Sequence, residues 1–304
     1  MRRQWTAPYA VEVGAVLGVH RRGHSDPAFR VDEAGAIWRA CLTPAGAGTL
    51  RLSWTSDPRL GTVVDAQAWG PGGDWLLDAL PAMLGAFDRP EDFVALHPVL
   101  RRVARERPGF RIGRSGLVLE SLVPAVLEQK VVGMEATRAW RYLLRRFGVP
   151  APGPGPAGMR VPPEPRTWAA IPSWEWHKAG VEAARAATIA SAARVATRLA
   201  EIIDLPADQA DSRLRSLPGI GAWTSAEVRQ RACGDADAVS VGDYHLPLFV
   251  GCALTGHPAD DAGMLKLLEP YRGHRHRAAM LAAMSGAGPA RRGPRNPVRD
   301  YRAI

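Results

Sequence analysis

Leu217-Pro218-Gly219-Ile220-Gly221-Ala222-Trp223-Thr224 decides the reading of this chain, together with Val241-Gly242-Asp243-Tyr244-His245 some twenty residues later. Just before it, residues 208–216 place Leu214 on an otherwise polar segment, the pattern of a short helix. Pro218 has no amide proton and cannot continue that helix. Gly219 and Gly221 permit left-handed backbone and leave no side chain in the way of an approaching group. A second helix, 222–232, then opens with unpaired amides and the positive end of its dipole, and both attract an anion. Gly-x-Gly alone also fits an ordinary corner between helices. The ordered run Leu-Pro-Gly-Ile-Gly with a carboxylate segment after it favours a phosphate grip.

Asp243 is the carboxylate of interest. Breaking an N-glycosidic bond gives the sugar oxocarbenium character, and a carboxylate near the anomeric carbon stabilises that charge and can orient or deprotonate water. Following Gly242 and preceding a helix, Asp243 also fits a helix N-cap. Asp235, Asp237, Asp260 and Asp261 have no comparable context.

With both segments in place, the chain resembles the helix-hairpin-helix DNA glycosylases, and most nearly the bacterial alkylation-repair 3-methyladenine DNA glycosylases of type II. The resemblance covers Pro98 to Ala283 and includes Leu122 to Val131, the hairpin, the Asp segment, and Pro270-Tyr271-Arg272-Gly273-His274-Arg275. It implies a fold that is mostly α, a two-lobed helix-hairpin-helix glycosylase body preceded by a small α+β domain. It also implies a monofunctional hydrolase that flips an alkylated or damaged purine out of double-stranded DNA and removes it, in base excision repair. A non-catalytic, structure-specific DNA-binding protein is the rival reading, as is a glycosylase for another base.

Residue by residue, the resemblance makes Asp243 catalytic and places Trp223, Tyr244, Glu227 and Gln129 at the base pocket. It assigns phosphate binding to Gly219, Gly221, Ala222, Thr224 and Arg275, with support of the Asp loop as the other role for Arg275. Lys130 stands where relatives carry an apolar wedge, so it is a wedge, a phosphate contact or plain surface. Glu227 replaces an aromatic; it faces the pocket or pairs with Arg229 or Arg231. Bifunctional relatives have lysine at the position of Trp223, so a Schiff-base route lacks its nucleophile here. A monovalent cation, Na+ or K+, on the carbonyls of Leu217 and Ile220 is a family expectation, with no organic cofactor and no iron–sulfur cluster. Cys41, Cys233 and Cys252 are scattered and apolar-flanked, small core residues rather than ligands. His274 and His276 lie two apart among arginines, a phosphate-facing surface rather than a zinc site.

The chain has 304 residues and a net charge of +9, which favours a polyanionic partner. Arginines cluster in residues 101–107, and residues 271–304 hold eight against the single acid Asp300. No apolar stretch is long enough to span a bilayer, and the amino terminus lacks a signal-peptide pattern, so a cytoplasmic, nucleoid-associated monomer without membrane contact is expected.

Residues 1–88 read as an amino-terminal α+β (TBP-like) domain. Val11, Val13, Phe29, Val31, Leu50, Leu52 and Trp54 fall in short strand-like segments. Trp75, Leu76, Ala79, Leu80, Met83, Leu84 and Phe87 form a helical stripe to cover them. Residues 89–304 read as the helical body, one lobe at 114–242 and the other from 89–113 with 243–304. Helices are expected at 115–131, bent or late-starting at Pro124, and at 134–147, with a helix pair or one long helix at 182–203. The Pro/Gly-rich loop 149–165 reads as an exposed linker without a core.

Overall fold

A computed structural model describes residues 1–57 and 61–288. The arginines between 291 and 302 lie outside the described residues. The chain begins with β1 (Arg2–Thr6) and α1 (Val13–Gly18), followed by β2 (Phe29–Val31), β3 (Ile37–Thr43), β4 (Gly46–Asp57) and β5 (Gly61–Trp69). The strands form an antiparallel sheet in the order β1-β5-β4-β3-β2. Alternation along β5 buries Val64, Ala66 and Ala68 on one face, as period two requires. Helix α2 (Gly73–Met83) lies on that face with Leu76, Leu80 and Met83 fully buried, each contributing about 1.5–3 kcal/mol of apolar burial. It sits so close that a Cβ on Gly48 would come within 2.6 Å of Leu76. Three expectations fail here. Val11 lies in no strand, Val13 starts a helix, and Phe87 lies past the end of α2, 69% exposed.

The rest is helical. In sequence come α3 (Pro98–Glu106), α4 (Val118–Leu127), α5 (Gly133–Phe147), α6 (Pro165–Ala170), α7 (Ser173–Ala179), α8 (Ala183–Arg194), α9 (Ala196–Ala200) and α10 (Ala207–Arg215). Then follow α11 (Ala222–Val228), continued by a π-turn over Arg229–Cys233, and α12 (Leu246–Thr255), α13 (Asp261–Leu268) and α14 (Arg275–Met284). Pro124 sits inside α4, and 182–203 is a helix pair. Helices α4 to α11 share one apolar cluster in which Trp140, Trp168 and Trp176 stack in series. Helix α3 instead joins α12, α13 and α14 around Leu100, Val250, Met264 and Leu268. Among the described residues no helix is long and apolar enough to cross a membrane.

The segment 149–165 is not an exposed linker. It forms a small hairpin, β6 (Val149–Pro150) with β7 (Arg160–Val161), and buries Met159 and Val161 against Trp38 and Ala40 of the sheet. Its glycines allow close contact rather than slack: a Cβ on Gly153 would meet the Trp69 ring at 2.4 Å. Pro/Gly richness here serves dense packing on flat indoles.

Several polar links tie residues 1–88 to the helices, three of them well buried. Arg39 pairs with Glu120 at 2.6 Å, and the Trp140 indole donates to Asp26 at 2.8 Å. Asp88 takes the Ile112 amide at 2.9 Å on one oxygen and the fully buried Arg277 of α14 on the other.

Candidate active site

The hairpin between α10 and α11 is built as the glycines require. Gly219 has φ +86°, and a Cβ there would fall 2.0 Å from Thr188 Oγ1 on α8, so no other residue fits unstrained. The Ile220 amide closes the turn on the Leu217 carbonyl at 3.1 Å. Gly221 caps α11 with extended backbone, and a Cβ there would meet nothing within 4 Å. The first turn of α11 therefore presents its amides to open space.

Gln129, just beyond α4, braces this turn from below. Its amide nitrogen donates to the Gly219 carbonyl at 2.9 Å and to Thr224 Oγ1 at 2.8 Å. That geometry narrows two assignments. Gln129 spends its amide donors on the hairpin rather than on a base, and the Thr224 hydroxyl is buried and engaged, leaving only its backbone for a phosphate. Lys130 follows in left-handed backbone, φ 54°, the only non-glycine residue with positive φ among the described residues, and its side chain is exposed.

Asp243 lies beside α11. The Trp223 indole donates to its Oδ2 at 3.1 Å, while Oδ1 accepts the amides of His245 and Leu246 at 2.8 and 2.9 Å. The carboxylate that holds the two amides leading into α12 and the candidate catalytic carboxylate are one group, with one oxygen engaged on each side. The loop before it is held on several sides. Gln230 donates to the Ala238 carbonyl at 2.8 Å and to Ser240 Oγ at 2.9 Å, and the Asp243 amide bonds the Ser240 carbonyl at 3.2 Å. Asp261 takes the amide of Gly242, whose φ is +92°.

Arg275 grips Asp237, in the loop that leads to Asp243, with Nε at 2.9 Å and Nη2 at 2.5 Å. Burial works against the charge on Asp237, but the Arg275 and backbone hydrogen bonds outweigh it and hold the carboxyl below its usual range. Glu227 is likewise engaged: Arg231 Nη1 reaches its Oε2 at 2.7 Å and Ser240 Oγ its Oε1 at 2.6 Å. Of the two roles open to it, the salt bridge is the one formed. Tyr244 is 78% exposed, edge-on to His245 rather than against Trp223. The carbonyls of Leu217 and Ile220 are neutral hard donors of the class a monovalent cation accepts, though Leu217's already holds one hydrogen bond.

Sequence reasoning passed over Thr188, Gln230 and Ser240. Ser240 and Gln230 were within reach as polar residues flanking the Asp segment. Thr188 touches the hairpin from α8 and had no local signal.

The 3-methyladenine DNA-glycosylase from Archaeoglobus fulgidus superposes with TM-score 0.72 at 18% identity, covering 94% of this chain and 98% of that one. This chain has the fold of the helix-hairpin-helix DNA glycosylases. Clostridium acetobutylicum 8-oxoguanine glycosylase/lyase, solved with DNA containing cytosine opposite 8-oxoguanine, shares this glycosylase fold at TM-score 0.66 and 11% identity, covering 93% of this chain and 96% of that one. In sequence, the probable bifunctional transcriptional activator/DNA repair enzyme AlkA of Mycobacterium tuberculosis is 32% identical over 153 residues, half of this chain. The chain spans 30% of that relative's length. No family model matches the chain.

Proposed function

We propose that the protein is a monofunctional DNA glycosylase that hydrolyses the N-glycosidic bond of damaged purines, alkylated ones among them, in double-stranded DNA. The observation that carries this reading is the Trp223–Asp243 pair set directly beside the hairpin amides. Backbone amides at Gly221, Ala222 and Trp223 hold a phosphate, the damaged nucleotide rotates out of the duplex, and its base stacks near the Trp223 ring. As the C1′–N bond breaks, Asp243 stabilises the positive sugar and directs water to C1′. One proton of that water ends on the base when a neutral purine leaves, and passes to solvent when a cationic purine leaves as the neutral base. Trp223 stands where an attacking lysine would be needed, which supports hydrolysis over strand-cleaving lyase chemistry. Relatives of this fold act on both alkylated and oxidised purines, so the fold by itself leaves the base open.

The test is Asp243→Asn. Free base released from duplexes bearing a panel of modified purines is expected to fall at least about 100-fold, the scale of losing one electrostatic stabiliser, while DNA binding persists. Wild-type excision by the variant overturns the assignment. Binding without base release by the wild-type protein points instead to a non-catalytic DNA-binding protein.

A further inference from the structure

One turn beneath Trp223, α11 carries Glu227, and i to i+4 spacing sets the two side chains about 5–6 Å apart on one face. Two stretches of chain bond its carboxylate, and two more bring charged or titratable groups within electrostatic range of it. The π-turn supplies Arg231 and the Asp loop supplies Ser240. The segment after α1 supplies Arg22, which pairs with Glu128 at 3.0 Å and lies within electrostatic reach of both Glu227 and Arg231. The amino-terminal turn of α14 supplies His276, within reach of Glu227 and Arg231. His20 joins the group beside Arg22, Arg39 and Arg231.

What this wall leaves unused is informative. Both Glu227 oxygens are taken, so it offers no free carboxylate to a cation. Arg231 spends Nε on the Val19 carbonyl and Nη1 on Glu227, and its Nη2 bonds no protein atom among the described residues. Neither the His276 nor the His20 ring hydrogen-bonds to protein among the described residues. Burial, with neighbouring arginines, pushes the His276 pKa down to about 4, so near neutral pH its ring offers one donor and one acceptor.

We propose that Arg231 and His276 form the polar end of the base site, and that it selects a neutral purine with a carbonyl on its edge over a cationic N-alkylated purine. This rests on the glycosylase reading above and narrows its substrate. A neutral base leaves with the electron pair of the C1′–N9 bond and so gains negative charge as the bond breaks. The guanidinium of Arg231, aimed at the carbonyl oxygen through Nη2, stabilises that charge. Water then adds to C1′, and its proton neutralises the base, so atoms and charge balance. A cationic base leaves neutral and draws nothing from Arg231 as the bond breaks. A site built to hydrogen-bond a carbonyl also discriminates strongly against a base that lacks one.

The test is single-turnover base release from duplexes containing hypoxanthine, a neutral oxo-purine, or 3-methyladenine, a cationic purine without a carbonyl, each corrected for loss in the presence of Asp243→Asn. Wild-type protein is expected to release hypoxanthine at least tenfold faster. Arg231→Lys keeps the charge without the second amino group, and His276→Gln keeps polarity without the ring. Each is expected to slow hypoxanthine release at least tenfold and 3-methyladenine release less than threefold. A ratio taken within one protein sample is insensitive to partial unfolding. Release of 3-methyladenine without preference for hypoxanthine, or an equal fall of both rates in the variants, overturns the polar-wall assignment and leaves the glycosylase reading standing. Release of neither base by the wild-type protein overturns the polar-wall assignment, and only failure across the whole panel of modified purines overturns the glycosylase reading with it.

Discussion

Trp223 and Asp243 are 20 residues apart in the chain and joined by one hydrogen bond, indole Nε1 to Oδ2 at 3.1 Å. Because Oδ1 is committed to the amides that start α12, this bond alone sets the direction in which the second oxygen points. Trp223→Phe keeps a smaller ring against the apolar cluster and removes that donor. A hydrogen bond to a charged group contributes about 1.5 kcal/mol or more, so base release is expected to fall about tenfold with little change in melting temperature. Single-turnover kinetics beside a thermal melt separate the two effects.

The two hairpin glycines are expected to fail differently. Gly219→Ala places a methyl against Thr188 in left-handed backbone, which costs about 1–2 kcal/mol for the backbone alone and more for the clash. Its melting temperature should drop by several degrees. Gly221→Ala meets open space in ordinary extended backbone and should melt within a degree or so of wild type. Its methyl instead stands where a phosphate must approach, so DNA affinity by fluorescence anisotropy is expected to fall tenfold or more.

Gln129→Ala strips partners from the Gly219 carbonyl and from the buried Thr224 hydroxyl. Leaving a buried polar group unpaired costs about 1–3 kcal/mol. Denaturant unfolding should show that loss, and binding to undamaged duplex should weaken with it, because the turn that presents the amides is no longer braced. Unchanged stability and affinity would show that water replaces the side chain fully.

His276 makes stability depend on pH. Its folded-state pKa lies near 4, below the 6.5 of an unperturbed imidazole. Below pH 6.5 the unfolded chain takes up a proton that the folded chain refuses, so this residue lowers stability as pH falls from 6.5 toward 4. His276→Gln should flatten that limb. Melting curves between pH 7.5 and 4.5 for both proteins give the comparison, and parallel curves would rule the histidine out as the cause.

The parts of the site that were legible in the sequence are those written locally. Pro218, Gly219 and Gly221 specify a turn by backbone angles alone, and Asp243 declares itself by following a glycine and preceding a helix. The tryptophan at position 223 shares a helix with Glu227, so their common face followed from spacing. What carries no local trace is the third dimension: Thr188 filling the space beside Gly219, Arg22 reaching Glu128 across 106 residues, and His276 arriving from the last described helix. Glu227 shows the boundary well. Its partner could be narrowed to Arg229 or Arg231, but the choice depended on the π-turn and on Ser240. In the fold, hydrophobic periodicity found α2, α4 and α5. It missed the 149–165 hairpin because a Pro/Gly-rich composition describes unpacked chain and chain packed on tryptophan faces equally well.

Asp88 and Arg277 have a consequence for how this molecule can be taken apart. The guanidinium sits at 2% exposure, and its counter-ion belongs to the end of the segment that begins with the sheet. A fragment starting after residue 88 would keep the cation and lose the anion, and an orphaned interior charge of that kind costs about 3–5 kcal/mol. The sheet-bearing portion is therefore no detachable cassette: excising or swapping it at that seam would unsettle the very helix that carries Arg275 and His276 toward the site.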